Sequence, residues 1–306
     1  MESNVVVYHI PALLRESVDL LDIRPDGVYA DATFGGGGHS REILRRLGPK
    51  GRLFGFDRDR DALQNVPDDP RFTFVLSDFR FMQNWLKFYG CEKIDGIIAD
   101  LGVSFHHFDA AERGFSFRTD APLDMRMNTN GSCSAFDIIN DKSEAELKEI
   151  FKTHTDLRNA AEIARVIASA KHEKPIETTF ELAETVSPAL DPRNLKKDLA
   201  QVFQAVRIVT NNEMDSLKSL LEQSEHILKK NGRIAILTYH SGEDRIVKDF
   251  LKSGNVSGVV QEDLIYGGKR SPWKLINKSP IVASEEEIAK NPRSRSAKLR
   301  GAILKK

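Results

Sequence analysis

Four short apolar runs, each closing on acidic or turn residues, alternate with helix-compatible segments through the first hundred or so residues: "GVYADATFG", "GRLFGFDRD", "RFTFVLSDF" and "KIDGIIADLG". Between the first two, "HSREILRRLGPKG" carries Ile43, Leu44 and Leu47 at helical spacing, with Gly48-Pro49 as a stop signal. Short buried strands alternating with helices predict a parallel α/β sheet joined by right-handed crossovers. Ligands of such sheets bind at the carboxyl ends of the strands, where Asp31, Asp57, Asp78 and Asp100 fall.

The pattern changes after Asp100. From about Ser143 to Val206 the strand signal gives way to helical signals, with Ser143-x-x-Glu146 and Thr178-x-x-Glu181 readable as capping boxes. In "DLRNAAEIARVIASAK" the apolar positions Leu157, Ala161, Ile163, Ala164 and Ile167 form an amphipathic stripe. The sheet pattern then returns, with a helix over "EMDSLKSLLEQSEHILKKNG" ended by Asn231-Gly232, a strand in "RIAILTYHSGEDR" and strand-like "WKLINKSPIVAS". The expected organisation is one sheet domain, 1–108 and 207–306, interrupted by an all-helical insertion, 109–206.

Composition adds little to this outline except locally. The 45 basic and 45 acidic side chains cancel, yet "GGKRSPWKLINK" and "NPRSRSAKLRGAILKK" are purely basic. Two readings stay open for that C-terminal stretch: a phosphate-binding edge, or a solvated tail. Cys91 and Cys133 match neither a metal pair nor a disulfide framework, and no uncharged apolar run approaches a bilayer span. No signal-type core opens the chain, and the eight histidines form no ligand-spaced cluster. The expectation is a soluble cytoplasmic protein without a membrane segment or a catalytic metal.

Candidate chemistry centres on "YADATFGGGGHS", where a strand runs into four consecutive glycines. Glycine repeats cost backbone entropy, so they belong where the chain turns tightly or lets a ligand approach its backbone. A dinucleotide fingerprint would want a third glycine where Ser40 stands. Asp57, at the end of the second strand, suits the ribose hydroxyls of either NAD or S-adenosylmethionine. Four strand-end carboxylates suit the second better, because it carries an ammonium and a sulfonium and no pyrophosphate. Any one of these aspartates could instead cap a helix.

Taken together, "DATFGGGGHS", "DLGVSFHHFDAAERGFSFRTDAPLDMRM", "FQAVRIVTNNE", "YHSGEDRIVK" and "NPRSRSAKLR" resemble the bacterial small-subunit ribosomal RNA methyltransferase H family, in the family's order and across essentially the whole chain. The resemblance implies a class I, Rossmann-like methyltransferase sheet with a helical substrate-binding insertion. It implies S-adenosylmethionine as cofactor and methylation of N4 of a cytidine in the decoding region of 16S ribosomal RNA, within the small ribosomal subunit. Position by position, it implies cofactor contacts at Gly37, Gly38, His39, Asp57, Phe79, Asp100 and His107. Two departures accompany it: "GVSFHH" replaces a common Ser-Pro-Gln run, and Gly242 replaces a common Leu.

The chemistry implied is direct in-line transfer without a covalent enzyme–base intermediate, with Asp100 and His240 the candidate catalytic residues. A base leaving its stack needs an aromatic or Arg contact. Phe105, His106, Phe108, Phe115 and Phe117 offer rings, some of them core, while Arg113, Arg118 and Arg126 face either phosphates or their own Asp109, Asp120 and Asp124. Rival readings are a nicotinamide-dependent oxidoreductase on the same kind of sheet and a ribosome-assembly factor that binds RNA without turnover.

Overall fold

A computed structural model describes residues 11–102, 111–259 and 271–305. Its contacts divide these residues into two compact units, one made of 11–102 with 215–305 and the other of 111–214.

The first unit is built on strands β1 (Val28–Asp31), β2 (Arg52–Asp57), β3 (Phe72–Leu76), β4 (Ile94–Asp100), β5 (Leu228–Thr238), β6 (Trp273–Leu275), β7 (Ile281–Val282) and β8 (Lys298–Leu304). Their order is β3-β2-β1-β4-β5-β8-β6, with β7 also paired to β8. β1 to β5 run parallel to one another, and β8 runs antiparallel to β5, β6 and β7. This is the doubly wound α/β sheet the strand pattern predicted. Its interior strands bury both faces, which is why they read as nearly continuous apolar runs. Phe54, Phe56, Ile97 and Ile236 point to one core, while Leu53, Ile98, Ala235 and Leu237 point to the other. The strand order reverses between β1 and β4, so the crevice between their carboxyl ends is where a ligand belongs.

The structure excludes one of the two readings of the basic C-terminal stretch and shortens the helix expected before β5. The basic C-terminal stretch is not a solvated tail: β8 lies inside the sheet, Leu299 and Ala302 are buried, and the Arg300 guanidinium forks onto Asp244 at 2.6 and 3.1 Å. The helix expected to run to Asn231-Gly232 spans Glu213–Ile227 and passes directly into β5. Asn231 instead takes a left-handed φ of 65° in a bulge that shifts the β4–β5 register. The segment "WKLINKSPIVAS" is two short strands, separated by a turn in which the Asn277 amide bonds Ser279, Leu299 and Gly301.

The second unit is helical. Helices Ala135–Asp141, Glu144–His154, Ala160–Glu173, Thr179–Val186 and Leu195–Thr210 bury Phe151, Ile163, Ile167, Leu182, Val202 and Val206 together. Both expected capping boxes form, and a third joins Ser134 to Asp137. In the helix Ala160–Glu173 the buried stripe begins at Ala160, whereas Ala161 is exposed. This unit runs on past residue 206 to Met214. Buried Asn211, just beyond the last of these helices, explains why: its amide donates to the Met125 and Arg207 carbonyls and accepts from the Met127 N–H, at 2.8–2.9 Å.

Candidate functional site at the carboxyl edge of the sheet

The glycine loop leaves β1 and starts the helix Gly38–Arg46. Gly35 and Gly37 take φ of +49° and +74°, where a side chain is strained, and Gly37 is the N-cap of that helix. A Cβ on Gly38 would stand 2.4 Å from the Pro11 ring, so a side chain there could fit only if that ring shifted. A Cβ on Gly35 would meet nothing nearer than 3.9 Å, leaving the outer side of the loop open to an incoming molecule.

Asp57 ends β2 and shapes this loop. Its Oδ2 accepts the Gly35 N–H at 2.7 Å and its Oδ1 accepts the Asp59 N–H at 2.8 Å, while the Asn65 side chain donates to the Gly35 carbonyl. Asp31 is buried at the end of β1, where it accepts the Ser40 hydroxyl at 2.7 Å and the Thr33 N–H at 3.1 Å. Burial pushes its carboxyl up to about 6 despite those hydrogen bonds. Ser40 therefore occupies the third-glycine position of a dinucleotide fingerprint as a partner for a carboxylate.

Asp100 ends β4 on the other side of the crevice. Its N–H donates to Thr33 Oγ1 at 2.6 Å, its Oδ1 accepts the Tyr239 hydroxyl at 2.7 Å, and its Oδ2 lies 3.8 Å from His39 Nδ1. Burial first, then the negative charges of Asp31 and Glu243, push the Asp100 carboxyl up to about 7, against the lowering effect of the Tyr239 hydrogen bond. Its side chain is still 21% exposed, so the carboxylate can be reached. His39 is buried and held down to about 4 by desolvation, so its imidazole is neutral at physiological pH. Its Nε2 is buried and has no hydrogen-bond partner among the described residues.

His240 follows β5 and caps the helix Ser241–Ser253: its Nδ1 accepts the Glu243 N–H at 3.4 Å, while Glu243 accepts the Tyr239 and His240 N–H groups. Its Nε2 comes within 3.2 Å of Glu243 Oε1 but is not aligned as a hydrogen bond, and it too is a buried nitrogen without a hydrogen-bond partner among the described residues.

The structure thus brings Gly37, Gly38, His39, Asp57, Asp100 and His240 to one edge of one sheet unit. Asp78 is different, because its carboxylate caps the short helical turn Phe79–Phe81 and is occupied by Arg58, Arg80 and Ser216. The Phe79 ring is buried in the core beneath that turn. His107, with Phe105, His106, Phe108 and Asp109, lies outside the described residues.

Among the other rings, Phe115 is buried and Phe117 packs on Phe203, so both belong to the helical core. Arg126 forks onto Asp124 and Arg113 donates to the carbonyls of Arg126 and Met127, which favours the internal network over phosphate contact for these two. Arg118 is exposed. Sequence reading passed over Tyr239, Thr33 and Ser40 as members of the site. Only the position of Tyr239 beside His240 at a strand end could have flagged it.

Comparison with known proteins adds the following. The family model described as the MraW methylase family matches residues 6–305. The Ribosomal RNA small subunit methyltransferase H of Parabacteroides distasonis is 52% identical over 301 residues, covering 98% of this chain and 98% of its own. The proteins of that name from Flavobacterium johnsoniae and Bacteroides thetaiotaomicron are 52% and 51% identical, and the pairs are covered to 97% or more of each chain.

Proposed function

The chain belongs to the MraW methylase family, and from that premise we propose that it transfers the methyl group of S-adenosylmethionine to the exocyclic N4 of a cytidine in the decoding region of 16S ribosomal RNA. The observation that carries this reading is the crevice at the strand-order reversal, where an open glycine loop faces the strand-end carboxylates Asp57 and Asp100. The residues present fit the cofactor. Asp57 offers acceptors for its ribose, Asp100 a carboxylate for its positive charge, and the backbone of Gly37, Gly38 and His39 opens a helix whose N–H groups favour a carboxylate. Phe79, on the turn after β3, and His107 are assigned to the same cofactor by family resemblance.

Bound there, the cofactor supplies an electrophilic methyl group on a sulfonium. The protein's part is to hold N4 in line with that methyl and to exclude competing water. An exocyclic cytosine amine is a weak nucleophile because its lone pair is delocalised into the ring, so alignment contributes more than a strong base would. Proton loss follows transfer, and no nucleophilic side chain attacks the base. His240 Nδ1 is committed to its cap, so His240 acts by holding Glu243, whose carboxylate in turn holds the Tyr239 N–H. The helical unit is the substrate-binding part. The target base is taken within the small subunit, whose RNA shape surrounds it.

A nicotinamide site is disfavoured by Ser40, whose hydroxyl serves Asp31 where close glycine packing would be needed. The test is mass spectrometry of nucleosides from unmodified small subunits incubated with the protein and S-adenosylmethionine. N4-methylcytidine is expected, and it should vanish with Asp57→Ala. Bound cofactor with no methylated nucleoside would turn the reading towards an assembly role without turnover.

A further inference from the structure

Asp100 has two carboxylate oxygens with different surroundings. Oδ1 is taken by the Tyr239 hydroxyl at 2.7 Å, while Oδ2 is turned towards His39 at 3.8 Å. The Tyr239 backbone is itself fixed by Glu243 Oε2 at 2.9 Å, and Glu243 is buried. The Tyr239 ring lies against Gly102, where φ is +112° and a Cβ would come 3.4 Å from the ring. Backbone, ring and hydroxyl of Tyr239 are therefore all held, the hydroxyl by Asp100 Oδ1.

We propose that Tyr239 is a positioning residue that locks the Asp100 carboxylate through Oδ1 and so presents Oδ2 to the positively charged part of the cofactor. The inference rests on the cofactor reading above and deepens it.

Two physical consequences separate this role from simple packing. A phenol donating to a carboxylate stabilises the charged form, and Asp100 needs that help. It faces Asp31 from β1, His39 from the glycine-loop helix, and Tyr239 and Glu243 from the segment after β5, and its titration is already pushed up to about 7. The phenol is itself pushed well above its ordinary value by burial and the same carboxylates, so it stays a donor at every relevant pH. Removing the hydroxyl while keeping the ring should therefore raise the Asp100 midpoint further and free its rotamer.

The experiment uses the whole chain with Tyr239→Phe, which keeps the ring against Gly102, and Asp100→Asn as the assignment control. In cofactor-free protein carrying 13C-carboxyl aspartate, the resonance lost in Asp100→Asn should titrate about one pH unit higher in Tyr239→Phe than in wild type. Calorimetry with S-adenosylmethionine should give about tenfold weaker binding at pH 7, with the loss shrinking as pH rises and Asp100 ionises. Unfolding temperature should change little. An unmoved Asp100 midpoint, or a moved midpoint with coincident binding curves, would overturn the positioning role while leaving the cofactor reading intact. A wild-type protein that does not bind S-adenosylmethionine would overturn both, and the two failures are told apart by that control.

Discussion

The two units treat their polar groups in opposite ways. In the helical unit the polar groups complete one another: Ser134, Ser143 and Thr178 close reciprocal capping boxes, and Asp124 pairs with Arg126. Glu146 there is held below its ordinary range by hydrogen bonds from Lys142 and Ser143. At the carboxyl edge of the sheet the carboxyls of Asp31 and Asp100 are pushed up and the His39 imidazole is pulled down, each chiefly by burial. Among the described residues, the buried side-chain nitrogens and oxygens without a hydrogen-bond partner all belong to the sheet unit, and His39, His240 and Asn65 lie along this edge and its loop. Unpaired buried polar groups are costly, so a fold keeps them where something else completes them. Among the described residues such groups are confined to the sheet unit, and His39 and His240 stand on the edge that carries Asp100.

Substitutions can break or sharpen that contrast. The largest effect is expected from ending the chain before Pro292. That truncation deletes β8, which pairs with β5 from Arg233 to Thr238, and so opens the sheet. It should abolish cooperative unfolding of the sheet unit in thermal melts, well before any loss of RNA affinity could be measured. Next comes Asn211→Ala in the helical unit, where a buried amide serves two chain segments. It should cost about 2–4 kcal/mol in denaturant unfolding and leave S-adenosylmethionine affinity in the remaining folded protein unchanged.

A smaller effect, of opposite sign, is expected at the edge. Asp100 has its folded value raised to about 7, so its contribution to stability is complete below about pH 4 and is lost as pH rises through about 7. Asp100→Asn removes that loss, and its melting temperature should gain on wild type between about pH 5 and pH 8 while cofactor binding falls. His39 works in the other direction, losing stability as pH drops from about 6.5 towards 4, and it is common to both proteins. The smallest change is Ser143→Ala, the loss of one exposed cap, worth about 1 kcal/mol with no effect on cofactor affinity.

The parts that were legible in the sequence were those specified by neighbours in the chain. β1, β2 and β4 announce themselves as buried runs, and Ser143 and Thr178 announce their helices three residues ahead of Glu146 and Glu181. β8 was hidden because its apolar alternation is flanked by Arg and Lys, and only the distant Asp244 makes Arg300 a buried residue. The bulge at Asn231 was hidden because Asn-Gly reads as a helix stop, while the register with β4 is set by residues far away in the chain. In the site, the glycine loop, Asp57 and Asp100 could be found from strand ends and spacing. Asp78 could not be separated from them, since its commitment to Arg58 and Ser216 exists only in three dimensions. Tyr239 was missed for the same reason: the acceptor of its hydroxyl stands 139 positions away.

The proposed assignment of the sheet's carboxyl edge as the methyl-donor site is tested most directly by titrating wild type and Asp57→Ala with S-adenosylmethionine, and separately with unmodified small subunits. The expected result is about 100-fold weaker cofactor binding by Asp57→Ala, the loss of two to three kcal/mol of hydrogen bonding to a charged group, with subunit affinity within about twofold. Equal affinity of both proteins for the cofactor would contradict the assignment of this edge as the donor site.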